Sequence, residues 1–227
     1  MGAVSQIESA LKNLYNIESK FCAENFLITH FPPNAIKRAG SRDFEGALYI
    51  QQSAIDEKDK EISIELGIYL SNSVREQLET FSHWATPWTL DQLKAFSVAS
   101  EEISHFHYLI YNLTRNRPLT EFELELQGEI DRFLLLFFCK PFSEKSSKTN
   151  CDDLFEQLFC NYTFAERLTR VQRQRYEDAS SYAKRFVQKI KPMLIDSTSL
   201  HKALKQSRLF YEMDLNHKIA FLHRVKN

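Results

Sequence analysis

The stretch SVASEEISHFHYLIYNL (residues 97–113) places two carboxylates, two imidazoles and a run of large apolar side chains in one helical segment. At about 100° per residue, Phe96, Ala99, Ile103, Phe106, Ile110 and Leu113 fall in one stripe. Glu102 lies about 70° from the centre of that stripe and His105 about 130°. Val98 and Leu109 share their side. The helix therefore carries a second, mixed face, and the pattern predicts contact on two sides, as for the central helix of a bundle. Thr89 with Gln92, in capping-box spacing, marks its start.

The same spacing recurs on either side. Ser5 with Glu8, Ser73 with Glu76, Thr120 with Glu123 and Thr163 with Glu166 each precede a segment of helical period. The first helix should end before FLITHFPPNAIKRAGS, where Pro32 and Pro33 force extended backbone. GALYIQQ (46–52) and EISIELGIYLS (61–71) are β-branched and aromatic, and they predict a hairpin around a charged loop. KPFSEKSSKTN (140–150) reads as a linker, followed by a short helix over 151–161 and a long one from Thr163 to Lys191, stopped by Pro192. Two shorter helices, 199–212 and 216–225, close the chain. The expected fold is mainly α: a multi-helix, bundle-like body with a small N-terminal β-hairpin. Residues 1–86 form an N-terminal lobe and 87–227 a helical lobe, with room for both to be one continuous domain.

Composition supports this class. The chain has 227 residues, 43% of them hydrophobic, with eighteen Phe against five Gly. That favours few tight turns and a sizeable core. Cys22, Cys139, Cys151 and Cys160 show no C-x-x-C spacing and read as reduced thiols, with Cys139 and Cys160 in apolar surroundings. No signal peptide opens the chain, and FLLLFFC (133–139) is about a third of a bilayer crossing. A cytoplasmic protein without membrane insertion is expected.

The formal charge of −1 conceals a division. From Thr163 onward fourteen Lys/Arg face six Asp/Glu, a balance of +8, and the preceding residues hold fifteen against twenty-four, a balance of −9. On the predicted helix 163–191, Arg170, Arg173, Lys184 and Lys191 gather opposite the apolar stripe, and Arg167 and Arg185 flank it. Arg175 falls within the stripe and requires a buried carboxylate or carbonyl. The acidic stretch EFELELQGEID (121–131) reads as a solvated outer face, its Glu residues favouring the helix N-terminus.

No Gly-x-Ser-x-Gly elbow, phosphate loop, dinucleotide fingerprint or H-E-x-x-H is present, so no catalytic residue and no cofactor are assigned. Glu102-x-x-His105 resembles the ligand pair of ferritin-like carboxylate-bridged di-iron proteins. The likeness covers four residues. No second Glu-x-x-His exists in the chain, so a dinuclear site of that kind would lack half its ligands. His107 points about 200° from His105, and one ion cannot easily take both.

Three functions follow in order. The leading expectation is a non-enzymatic interaction module, an adaptor or subunit of a larger assembly such as secretion-type machinery. It would meet an acidic protein surface through Arg167, Arg170, Arg173, Lys184, Arg185 and Lys191. The first alternative is a metal-dependent helical enzyme using Glu102 and His105. The second is nucleic-acid binding through helix 163–191.

Overall fold

The computed structural model describes residues 2–30, 45–52, 63–81, 87–140, 147–161 and 168–224. The architecture is mainly α with a small sheet, as the periodicities predict. Helix α1 spans Ala3–Tyr15 and ends where Asn16 takes the left-handed conformation. After a 3-10 turn at Ala23–Phe26 come strands β1 (Leu27–Ile28), β2 (Gly46–Gln52) and β3 (Ile64–Leu70). The predicted hairpin is the antiparallel β2–β3 pair, with Gly46 opposite Leu70 and Gln52 opposite Ile64. β1 adds to the other side of β3 in parallel, Leu27 beside Ile68.

Helices α2 (Asn72–Glu79), α3 (Leu90–Leu113), α4 (Glu121–Cys139), α5 (Ser147–Phe159), α6 (Arg170–Ile195), α7 (Leu200–Glu212) and α8 (Leu215–His223) complete the body. Thr89 and Gln92 form the reciprocal capping box at the start of α3. Thr120 caps α4 with its hydroxyl, but Glu123 does not reach back and is spent elsewhere. Four boundaries differ from expectation. α1 starts at Ala3 with Gly2 at its N-cap, so Ser5 and Glu8 lie inside the helix, and Glu8 is buried rather than closing a box. Ser71 rather than Ser73 caps α2, because the helix starts directly off β3, where the Ser71 N–H still bonds to Glu45 O at 2.8 Å. α5 begins at Ser147, inside the predicted linker. α6 starts after a Thr169–Gln172 capping box and runs through Pro192 to Ile195. The lost hydrogen bond is confined to the last turn, where burial of Leu194 holds the helix on course. Thr163, Glu166 and Arg167 lie outside the described residues.

One hydrophobic core runs through both predicted lobes, from Ile7 and Leu11 of α1 through Ile68 and Leu70 of β3 to Phe96, Phe106, Phe133, Phe186 and Phe210. α3 is its centre, packed against α1, α2, α4, β2 and β3. The stripe Phe96, Ala99, Ile103, Phe106 and Ile110 is buried, as predicted, with Leu113 partly exposed at the end. α4 is also enclosed, by α1, α3, α5 and α6. Polar side chains on the packed faces of these two helices therefore have little water to turn to.

Two buried networks meet that constraint. In the larger, Asp131 accepts hydrogen bonds from Tyr15 Oη, Ser104 Oγ (2.5 Å) and Gln127 Nε2 (2.8 Å). The Lys218 ammonium, wholly buried on α8, donates to Gln127 Oε1 (2.8 Å) and Tyr108 Oη (2.7 Å), and Tyr108 donates to Glu123 (2.6 Å). α1, α3, α4 and α8 are thus tied through one polar chain.

In the smaller network Glu8 accepts from Ala23 N–H (3.1 Å) and pairs with Lys12 (2.7 Å) and His107 (2.9 Å). Burial by itself would raise the Glu8 carboxyl, but the bonds from His107, Lys12 and Ala23 outweigh it and hold the group at about 2, below its ordinary 4.5. A depressed folded-state value stabilises the fold above the unfolded-state value, and that stability is lost as pH falls toward the folded one. Unfolding in urea between pH 5 and pH 2 is expected to show a falling stability that Glu8→Gln flattens, with the variant about 1–3 kcal/mol weaker at pH 7. Equal pH slopes in the two proteins would count against this pairing.

Candidate metal centre

The opposite face of the α3–α4 contact has a different character. α3 brings Glu101, Glu102 and His105, and α4 brings Glu125, Glu129 and Arg132. Turns of the two helices set Glu101 and His105 four apart, and Glu125 and Glu129 four apart, so each pair projects from one side. One donor atom from each of Glu101, His105 and Glu125 lies within 4.8 Å of the other two.

The imidazole of His105 is 7% exposed and the carboxylate of Glu102 8%, so neither is answered by solvent. His105 Nδ1 stands 3.6 Å from Glu102 Oε2, and Nε2 stands 3.7 Å from Glu125 Oε2. Both separations are ion-pair distances too long for hydrogen bonds. His105 Nε2 and Glu102 Oε2 are accordingly buried polar atoms without a hydrogen-bond partner. Such atoms are rare in folded proteins, because each forfeits its hydration.

Two glycines explain how the pair is enclosed. A Cβ on Gly128 would come within 2.6 Å of His105 Nε2, and a Cβ on Gly46 within 2.8 Å of Glu102 Cγ and 2.7 Å of Val98 Cγ1. Neither glycine has a positive φ, so both serve close approach rather than backbone freedom. Gly128 seats the imidazole against α4, and Gly46 lays the start of β2 over Glu102.

The electrostatics are those of crowded carboxylates in a dry site. Burial raises Glu102, Glu125 (to about 8) and Glu129 above the ordinary carboxylate range. Burial opposes the charged imidazole of His105, but Glu102, Glu125 and Glu101 outweigh it and raise His105 to about 10. Arg132 pairs with Glu129 at 2.5 Å and with Glu101 at 3.7 Å. The residues thus gather negative charge around a nitrogen that faces inward.

The structure brings the sequence-predicted Glu102 and His105 together and adds Glu101 and Glu125. The acidic stretch 121–131 is not the solvated face expected of it. Glu123 and Asp131 are buried in the Lys218 network, and the side chains of Glu125 and Glu129, each 12% exposed, are largely covered in this cluster, because both sides of α4 are packed. Helical spacing alone could have separated 123/127/131 from 121/125/129, but it could not have shown which elements cover them. His107 points away, to Glu8, as its angular position required.

The cationic residues divide. Arg175 pairs with Glu121 of α4, a carboxylate as its position in the stripe demanded, though one whose side chain is 41% exposed rather than buried. Lys191 pairs with Asp152 at 2.6 Å, and Lys184 lies against α5, 3.1 Å from Cys160 Sγ, which is exposed rather than set in apolar surroundings. Arg185 stacks beside Tyr182. Arg170 and Arg173 are exposed, with no ion pair to any described residue.

Gly128→Ala is expected to lose about 1–3 kcal/mol by overpacking, less the ~1 kcal/mol that alanine returns in a helix. Combining it with His105→Ala should recover most of that loss in a double-mutant cycle by chemical denaturation, whereas simple additivity would show that the contact is not felt. No family model, no curated protein and no solved structure matches this chain.

Proposed function

We propose that this is a metal-dependent helical protein whose centre binds one divalent transition ion through Glu101, His105 and Glu125. The observation that carries the reading is His105 Nε2, a buried ring nitrogen with no hydrogen-bond partner 3.7 Å from Glu125 Oε2, in a residue that has one donor atom within 4.8 Å of one from Glu101 and one from Glu125. One imidazole with carboxylates is a donor set for zinc, manganese or ferrous iron. Glu102, 3.6 Å from Nδ1, stands on the side from which an outer carboxylate orients a metal-binding imidazole, and closing that gap to hydrogen-bonding distance would fix the tautomer that frees Nε2.

Three protein ligands leave positions for water or a substrate oxygen, so the chemistry open to such a centre is polarisation or activation of an oxygen ligand. Of the three, Glu101 has the most exposed side chain, at 23%, which makes its side the approach from solvent.

Metal-stripped protein titrated with Zn²⁺, Mn²⁺ or Fe²⁺ is expected to take up one ion per chain. Removing a ligand with His105→Ala or Glu125→Gln should cost at least tenfold in affinity, and Glu102→Gln about 10–100-fold. Equal affinity in wild type and His105→Ala, with both folded, would remove this reading.

A second reading keeps the protein-interaction role, and Arg170 and Arg173 favour it. They open α6 as exposed cations, with Val171 between them 76% exposed. An acidic protein surface is the complement proposed for them, with nucleic acid the competing polyanion. Nucleic-acid binding would weaken steeply with salt as counterions are released. Affinity purification at native expression, comparing wild type with Arg170→Ala/Arg173→Ala, is expected to lose a specific acidic protein in the variant. Identical recoveries from both would dismiss the interaction role of this face.

A further inference from the structure

Arg132 has no counterpart in the satisfied network on the other face of α4, where the cation is supplied by α8. Its guanidinium sits among the cluster's own carboxylates, pairing with Glu129 at 2.5 Å and Glu101 at 3.7 Å. Its side chain is 19% exposed, and its Nε is a buried donor without a partner. A group placed so is poorly explained as a surface ion pair, because water does little to screen it and its own hydrogen-bonding capacity is incompletely used.

Glu101 is shared. With His105 and Glu125 it is one of the three residues whose donor atoms converge, and it also faces the guanidinium. Glu129, one helical turn beyond Glu125 on α4, is the carboxylate nearest the guanidinium, at 2.5 Å. Four carboxyl groups therefore divide between two centres: Glu102 and Glu125 flank the His105 ring at 3.6 and 3.7 Å, and Glu101 and Glu129 flank Arg132 at 3.7 and 2.5 Å. In two-ion carboxylate centres a shared carboxylate lies between ions about 3.5–4 Å apart. Here the shared carboxylate is Glu101, and the second cation is part of the chain.

We infer that the Arg132 guanidinium occupies the position of a second cation, limiting the centre to one divalent ion, and that a small neutral residue at 132 opens a second ion position between Glu101 and Glu129. This rests on the metal reading above. A fixed guanidinium neutralises Glu129 without ligating anything, and it repels a second ion by charge as well as by volume. Arg132 is thus a residue that sets stoichiometry rather than a ligand.

The test uses the full chain, stripped of metal and loaded with Mn²⁺, with bound metal counted by elemental analysis and its coupling read by electron paramagnetic resonance. Wild type is expected to hold one Mn²⁺ with the six-line signal of an isolated ion. Arg132→Ser is expected to hold two, with an exchange-coupled signal. One ion in folded Arg132→Ser, or two in wild type, overturns the inference while leaving the metal reading in place. No Mn²⁺ in either protein, with none of Zn²⁺ or Fe²⁺ bound, removes the metal reading itself and this inference with it. Should Arg132→Ser fail to fold, Arg132→Lys keeps the positive charge and must still hold one ion, and two ions there would equally overturn the proposal.

Discussion

The close contact of α3 and α4 is the constraint from which the rest of the structure follows. Each helix is covered on both sides, so most of the polar side chains that the sequence places between them are largely withdrawn from water. Uncompensated, each such group would cost several kcal/mol of a net stability that is itself about 5–15 kcal/mol. The chain answers with glycine where helix, ring and strand must touch, at positions 128 and 46, and with hydrogen-bonded networks elsewhere. Apolar packing of Phe96, Ile103, Phe106 and Phe133 brings the helices together, and the polar groups then decide what their interface can do.

The two polar faces of α4 were dealt with differently. Around Asp131 and Glu123 each carboxylate meets donors at hydrogen-bonding distance, and a buried ammonium from α8 supplies positive charge. That arrangement ties helices and leaves little capacity unused. Around His105 the partners stand at 3.6 and 3.7 Å, the ring nitrogen facing α4 is unanswered, and carboxylates outnumber cations. The first face reads as structure. The second has the excess charge and the open donor atom that a ligand requires, and this contrast within one helix supports the functional reading more than either face alone.

The separation of charge along the chain is resolved in part inside the molecule. Arg175 closes on Glu121 and Lys191 on Asp152, so the basic C-terminal third folds back over the acidic remainder. Outward remain the opening turn of α6, where Arg170 and Arg173 flank an exposed Val171, together with Arg185 and, on α7, Lys202 and Lys205. Among the described residues no helix is long and apolar enough to cross a membrane.

The sequence by itself determined the local elements. The period of Phe96 through Ile110, the Thr89–Gln92 box and the alternation at 46–52 each depend on neighbours a few residues apart, and each is found in place. It also singled out Glu102 and His105, since residues three apart on a helix must share a side. Tertiary packing decided the competing choices: Ser71 over Ser73 as a cap, the passage of α6 through Pro192, and the enclosure of an acidic stretch that looked solvated. It alone could bring Glu125 to His105 across twenty residues and set Arg132 beside Glu101. Helical spacing fixes which face a side chain shares, but what lies opposite that face depends on contacts between distant segments, and those are set by how the whole core packs.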